Sequence, residues 1–124
     1  MKLFNLSLLT VLSFTSSTAY ATCYSTGQVG VSSLALAQLS TYCTQQKLAG
    51  QYQKNDKRSF CVPFQSFYYK FAVHNLNDGP NFLTPEKCTT NLKTEIGCER
   101  GGATSYTGPG MGWRFIADPN YGSC

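Results

Sequence analysis

The sequence has little of what most metal sites and serine hydrolases require. Its 124 residues include one histidine, His74, and its six cysteines form no Cys-x-x-Cys pair. Structural zinc sites usually combine such closely spaced cysteines with further cysteine or histidine ligands, so we predict neither a metal ion nor a cofactor. The Gly-x-Ser-x-Gly turn that presents a nucleophilic serine is also missing. Metal-dependent and serine-dependent hydrolysis are therefore disfavoured.

Charged residues are also sparse. They make up 13% of the chain, and the formal net charge is +4. The sequence has no basic run of the kind that marks a dedicated nucleic-acid-binding protein, so we expect no nucleic-acid partner. Residues 22–124 contain no Asn-x-Ser/Thr motif and no internal repeat, which predicts a single domain without N-linked glycans.

No apolar run reaches the roughly 20 residues that a membrane-spanning helix needs. The one apolar stretch of note, residues 3–12, follows Lys2 and leads through small residues to Ala19-Tyr20-Ala21. This order of a positive charge, an apolar run and small residues is typical of a secretory signal peptide. We therefore predict a signal peptide over residues 1–21, and a soluble, secreted, extracellular domain over residues 22–124 without a membrane span.

All of the cysteines lie after the predicted cleavage site. An even set confined to the exported part of a chain predicts a disulfide framework formed in an oxidising compartment. If Cys88 and Cys98 share one helix, the rise between them is about 15 Å, which exceeds the reach of about 7 Å between the Cα atoms of a disulfide. This pairing is therefore excluded, while the other connectivities stay open. The predicted disulfide cysteines are Cys23, Cys43, Cys61, Cys88, Cys98 and Cys124.

Two helices are predicted from apolar periodicity. The first spans Ser33 to Leu48, with Ser32 or Ser33 as its N-cap and Gly50 as its stop. The second begins with Thr84 as N-cap and Pro85 at its first position, and it continues to Gly101-Gly102. Its expected buried face consists of Cys88, Leu92 and Ile96.

Strands are predicted over residues 59–64, 66–76 and 112–117, with turns at residues 77–80 and 118–120. In the middle strand, apolar and polar side chains alternate. We expect a core face of Phe67, Tyr69, Phe71 and Val73, and a partly wet face of Tyr68, Lys70, Ala72 and His74. The order of elements predicts an α+β fold, a small disulfide-linked domain with an antiparallel sheet packed with two helices.

The C-terminal segment combines aromatic and polar side chains, as glycan-binding sites do. Sugar rings present apolar C–H faces, which match aromatic rings, and hydroxyl rims, which match amide, carboxylate and guanidinium groups. Trp113 is more readily interpreted as a core residue. The predicted ligand contacts are Tyr68, Lys70, His74, Arg114, Asp118, Asn120 and Tyr121.

Two runs of sequence are similar to a known group of secreted proteins. They are Glu95 to Gly102 (EIGCERGG) and Trp113 to Cys124 (WRFIADPNYGSC). Together with the spacing of Cys23, Cys43 and Cys61, they resemble small secreted fungal cysteine-rich proteins, in particular the family of an ink-cap mushroom glycan-binding protein. The resemblance implies an extracellular, disulfide-bonded α/β domain that binds glycans without a metal ion and without catalysis.

Three functions fit these features. The leading hypothesis is a secreted, lectin-like or effector-type protein whose partner is an extracellular glycan on a host, a competitor or the fungal wall. The second is a killer-toxin-like protein, or one that interacts with a host protein, which small basic disulfide-rich domains fit equally well by composition. The third is a small secreted ribonuclease in which His74, a carboxylate and either Lys70 or Arg114 transfer protons and stabilise the phosphate.

A dibasic pair, Lys57-Arg58, falls in a polar loop predicted over residues 53–59. Secretory-pathway convertases cleave after such pairs, and a cut here would leave two chains joined by disulfides. A solvated, uncleaved loop is the favoured interpretation.

Overall fold

The computed structural model describes residues 22–109 and 111–124, so the predicted signal peptide lies outside the described residues. In chain order the elements are α1 (Ser32–Leu36), α2 (Leu39–Tyr42), β1 (Gly50–Tyr52), β2 (Lys57–Pro63), β3 (Phe67–Asn75), β4 (Asn81–Leu83), α3 (Pro85–Ile96), β5 (Gly102–Tyr106) and β6 (Trp113–Tyr121). The main antiparallel sheet has the order β2-β3-β6-β5, and β1 pairs with β4 in a small second sheet. The α+β class and the antiparallel sheet are confirmed.

One side of the main sheet forms the hydrophobic core. The alternation predicted for β3 is confirmed in large part, because Tyr69, Phe71 and Val73 are fully buried while Tyr68 and His74 are partly exposed. Ala72, predicted on the partly wet face, is buried instead, and Phe67, predicted on the core face, is only partly buried. β6 alternates in the same way and buries Phe115 and Ala117 on the same side. The longest helix, α3, packs on this inner side of the sheet through the apolar residues Leu92 and Ile96.

The start of α3 follows its sequence signals. The Thr84 hydroxyl accepts a hydrogen bond from the Lys87 backbone N–H at 3.1 Å, and Pro85 occupies the first turn, where no N–H is needed. The predicted end at Gly101-Gly102 is wrong. The helix stops at Ile96 with Gly97 as its C-cap, and Gly102 instead begins β5.

The predicted first helix, Ser33 to Leu48, is also wrong. Two short helices, α1 and α2, replace it, and neither has a side-chain cap. Leu34 and Leu36 remain 44% and 37% exposed, so the apolar periodicity does not correspond to one buried stripe. Leu36, Leu39 and Cys43 are the apolar residues at helical spacing in this stretch, and only the last two of them are buried. A face that short cannot stabilise a long helix by packing.

The turn predicted at residues 118–120 is wrong as well, because β6 continues to Tyr121. A proline inside a central strand normally removes a hydrogen bond of the ladder. Here β5 begins at Gly102, opposite Ala117, so Pro119 lies beyond the end of β5 and packs its ring beside Gly101. The strand can therefore pass through Pro119 without losing a ladder bond to β5.

The disulfides join Cys23 to Cys98, Cys43 to Cys88 and Cys61 to Cys124, so the exclusion of Cys88–Cys98 is confirmed. Cys88 lies in the first turns of α3 and Cys98 lies just after its last residue. Separate bridges therefore fix both ends of α3 to other parts of the fold.

The dibasic pair lies in β2, not in a loop. The Arg58 guanidinium donates hydrogen bonds to the carbonyl oxygens of Lys47 and Ala49, at 3.2 and 2.8 Å, and to that of Gln51. It also lies 4.1 Å from the centroid of the Tyr52 ring. Arg58 therefore links β2 to the segment that leads into β1.

Candidate functional site

The pairing of β3 with β6 brings six of the seven predicted contacts onto one side of the sheet. Their direct cross-strand pairs are Tyr68–Asn120, Lys70–Asp118 and His74–Arg114. Paired residues in an antiparallel sheet point to the same side, and so do residues two apart along a strand. The other side carries the buried core, so these side chains lie on the side away from α3. We call it the outer face; its members are Lys57, Ser59, Cys61, Pro63, Tyr68, Lys70, Ala72, His74, Ala103, Ser105, Arg114, Ile116, Asp118 and Asn120.

The outer face is organised in rows that run across the strands. The basic row consists of Lys57, His74, Arg114 and Ser105. The next row, the central row, has smaller and apolar side chains: Ser59, Ala72, Ile116 and Ala103. Beyond it lie Lys70 and Asp118, and then Tyr68 and Asn120, which form the polar end of the face. The central row, with its smaller side chains, therefore lies between two sets of longer polar side chains.

Arg114 is held by contacts with the edge strand. Its Nη1 donates to the Ser105 hydroxyl at 3.1 Å. The side chains of Lys57, Lys70 and His74, by contrast, make no hydrogen bond or ion pair with any other residue of the described chain. Three cationic or potentially cationic groups of the outer face are therefore open to an external partner.

Tyr24 is a neighbour of the site that the sequence did not indicate. Its backbone N–H donates to the Gly101 carbonyl oxygen at 2.9 Å, beside a bridge between Cys23 and Gly102. Burial raises the pKa of the Tyr24 phenol; nearby Asp118 raises it further and nearby Arg114 lowers it. The backbone contacts place Tyr24 beside the start of β5, at the edge of the main sheet. The N-terminal segment has no periodic pattern that could have placed it there.

Two aromatic residues of the C-terminal segment, the predicted contact Tyr121 and the predicted core residue Trp113, are not part of the outer face. Tyr121 is 79% exposed, but it pairs with Phe67 and belongs to the other side of β6. Trp113 is buried in the core, where its ring meets Tyr52 edge-on at 5.0 Å between centroids. The interpretation of Trp113 as a core residue is confirmed, and Tyr121 is separated from the other six contacts.

A groove of about 630 Å³ lies elsewhere, between α2 and the first half of α3. Its walls carry the hydroxyl groups of Ser40, Thr44, Thr89 and Thr90 above the Cys43–Cys88 disulfide. It contains none of the predicted contacts and no aromatic side chain. This groove lacks the combination of rings and charges that the outer face offers.

Two other kinds of site are absent from the part of the chain that the structure describes. Residues 22–109 and 111–124 contain no cluster of three or more His, Cys, Asp or Glu side chains suited to a metal ion. None of the helices described has the length and apolar character needed to cross a membrane.

Compared with known proteins, the chain matches no protein-family model, and no curated protein is significantly similar to it.

Proposed function

We propose that the protein binds an extracellular glycan on its outer face, as a secreted lectin-like or effector-type protein without catalysis. The β3–β6 register carries the proposal, because it gathers six predicted contacts on one accessible surface. All six side chains are partly or largely exposed. A binding surface for a large, polar ligand requires such access.

The polar end of the face suits the two surfaces of a sugar ring. The Tyr68 ring offers an apolar plane for C–H groups. The Asn120 amide, whose Nδ2 donates to the Asp118 carbonyl oxygen at 3.2 Å, and the Asp118 carboxylate offer hydrogen-bonding groups for hydroxyls. The segment from Trp113 to Cys124, which resembles the glycan-binding family, supplies Asp118 and Asn120, and this agreement supports the proposal.

Ribonuclease activity is less well supported by the same geometry. His74 is flanked by Lys57 and Arg114, which suits a phosphate group, but acid–base catalysis needs a second proton-transferring group within reach. Asp118 is the acidic residue of the outer face, and it lies opposite Lys70 in the β3–β6 register. It lies four residues from Arg114, about 13 Å along the strand. Binding is therefore better supported than proton transfer between His74 and Asp118.

A glycan array followed by calorimetry with the best ligand tests the proposal. Replacement of Tyr68 by alanine is expected to weaken binding about tenfold, because a stacked ring loses both its apolar contact and its specific geometry. Tyr121→Ala is the matched control, since it removes an equally large and more exposed tyrosine from the other side of β6. Its effect should stay below about twofold.

Two results would contradict the proposal. One is the absence of binding to any glycan at high protein concentration. The other is inhibition of competing cells that no sugar relieves, which would favour the toxin-like alternative.

A further inference from the structure

The basic row carries positive charge for which a neutral sugar offers no negatively charged partner. Lys57, His74 and Arg114 lie side by side on three neighbouring strands, which are spaced about 4.8 Å apart. No carboxylate belongs to this row, and Asp118 lies beyond the central row. Asp56, next to Lys57 in sequence, points its Oδ2 to the Gln53 backbone N–H at 2.7 Å instead.

We propose that the basic row is an anion subsite for a glycan that carries carboxylate groups. This inference rests on the proposed function and names its ligand class. The Arg114 guanidinium, already fixed by Ser105, can pair with a sugar carboxylate through two hydrogen bonds. Lys57 adds a mobile charge at the β2 edge, and the neutral part of the glycan crosses the central row to Tyr68 and Asn120.

The test uses one sugar backbone with and without charge. Oligosaccharides of galacturonic acid and their methyl esters have the same length and linkage, and only the first carry carboxylates. The protein is expected to bind the acid about tenfold more tightly than the ester, because charge-assisted hydrogen bonds are stronger than neutral ones. Sodium chloride should weaken binding of the acid far more than binding of the ester.

Substitutions that remove one positive charge from the protein test which residue recognises the carboxylate. Arg114→Gln should abolish most of the preference for the acid, whereas Lys93→Gln, on the exposed side of α3, should leave it unchanged. Equal affinity for acid and ester overturns the anion subsite but leaves the proposed function intact. Failure to bind either, or any other glycan, overturns the proposed function itself. Tighter binding of an RNA oligonucleotide through Arg114 would assign the row to nucleic acid and overturn the subsite.

A second observation concerns a buried carboxyl group on the inner side of the sheet. Glu95 of α3 is fully buried; its Oε1 accepts a hydrogen bond from the Thr104 hydroxyl at 2.9 Å, and its Oε2 has no partner. The same Thr104 oxygen accepts a hydrogen bond from the backbone nitrogen of Thr22, also at 2.9 Å. Thr22 is the residue that follows the predicted cleavage site.

We infer that Glu95 is the docking site for the amino group created by cleavage after Ala21. Cleavage converts the Thr22 amide nitrogen into a positively charged α-amino group, one hydroxyl away from a buried carboxylate. An unpaired buried carboxylate is costly, and an opposite charge offsets that cost. Removal of the signal peptide would in this way stabilise the secreted fold.

Comparing a chain that starts at Thr22 with one that starts at Ala21 separates the effect of a charge on the Thr22 nitrogen from that of its hydrogen bond to Thr104. In both, the Thr22 nitrogen can donate to Thr104, but only in the first does it carry the charge. At pH 7 the chain starting at Thr22 should melt about 5 °C higher, and this difference should vanish in Glu95→Gln. Equal melting temperatures, or a difference that persists in Glu95→Gln, would overturn the inference.

The pH dependence gives a second readout. Burial raises the pKa of Glu95 from an ordinary value of 4.5 to about 7, against the opposing effects of Thr104 and Arg114. The phenols of Tyr106 on β5 and of Tyr24 in the N-terminal segment also interact with Glu95, and the pKa of each is raised, so both are neutral at pH 7. In the chain starting at Ala21, stability is therefore full below pH 4.5 and falls as pH rises through 7. The chain starting at Thr22 should show a smaller fall. The advantage of the free amino group should accordingly disappear near pH 4, where Glu95 is protonated in both chains, and an advantage of equal size at pH 4 would contradict the pairing.

Discussion

Replacing Cys43 and Cys88 together by alanine is expected to lower the free energy of unfolding by about 4–5 kcal/mol, near the upper end of what disulfide removal costs. Both residues are buried members of the hydrophobic core. Their bridge joins the end of α2 to the first half of α3. Its loss therefore removes core contacts as well as the cross-link, and the short helix α2 has few other contacts to hold it.

The Cys61–Cys124 bridge provides the matched comparison. The two bridges close separations of 45 and 63 residues, for which chain entropy alone gives about 4 kcal/mol in each case, slightly more for the longer loop. Cys124 is exposed at the chain end and Cys61 is only partly buried. The pair Cys61→Ala and Cys124→Ala should therefore cost about 4 kcal/mol, up to about 1 kcal/mol less than the Cys43 and Cys88 pair. Guanidinium unfolding of both double variants at neutral pH measures the difference, and the reverse order would show that loop entropy outweighs burial.

The elements that could be predicted from sequence are those whose local pattern agrees with their tertiary surroundings. α3 has a cap at Thr84, a proline at its first position and one apolar stripe that is buried. Apolar and polar side chains alternate along most of β3, so its core side and outer side follow from the sequence, with Ala72 buried on the outer side as the exception. In both elements, local preference and burial favour the same structure.

The missed elements lack such a pattern. β5 consists of Gly-Ala-Thr-Ser-Tyr, in which Thr104 and Tyr106 are separated by a serine and preceded by two small residues, so it has no continuous strand pattern. Its glycine is more typical of a helix stop. β1 and β4 have three residues each and are ordered by pairing with one another. Such short strands are stabilised by partners that are distant in sequence.

The candidate site was predictable in its residues but not in its arrangement. Alternation indicates that Tyr68, Lys70 and His74 share one side of a strand. It does not indicate which strand lies beside them, and β6 pairs with β3 only through contacts between distant parts of the chain. Lys57 and Ser105 enter the basic row for the same reason, through the pairing of β2 and β5 with the central strands.

Alanine substitution of Gly101 is expected to cost about 3–4 kcal/mol, because it combines two penalties. Gly101 has φ of +78°, which is unfavourable for a residue with a side chain by about 1–2 kcal/mol. A Cβ at this position would also meet the Ala117 carbonyl oxygen and come within 2.6 Å of Pro119 Cδ. Both contacts are with β6, which cannot move without disturbing the sheet and the outer face that it carries.

Three other glycines separate the two penalties. Gly27 has φ of +106°, and a Cβ added there would have no atom within 4 Å, so Gly27→Ala measures the backbone cost alone. Gly30 has no positive φ, but its Cβ would meet the Tyr69 hydroxyl and lie 2.7 Å from Tyr69 Cζ, so Gly30→Ala measures crowding alone, about 1–3 kcal/mol. Gly79 has neither feature, and Gly79→Ala should be neutral or slightly stabilising.

Chemical unfolding of the four variants gives a direct test. The cost for Gly101→Ala should approach the sum of the costs for Gly27→Ala and Gly30→Ala, each measured relative to Gly79→Ala. A cost for Gly101→Ala no larger than that for Gly27→Ala would mean that β6 moves to accept the methyl group. In that event the β6 side of the outer face would be deformable, and the glycan affinity of Gly101→Ala should fall along with its stability. A rigid sheet predicts instead that any folded fraction of Gly101→Ala binds with unchanged affinity, because Gly101 contributes no side chain to the outer face.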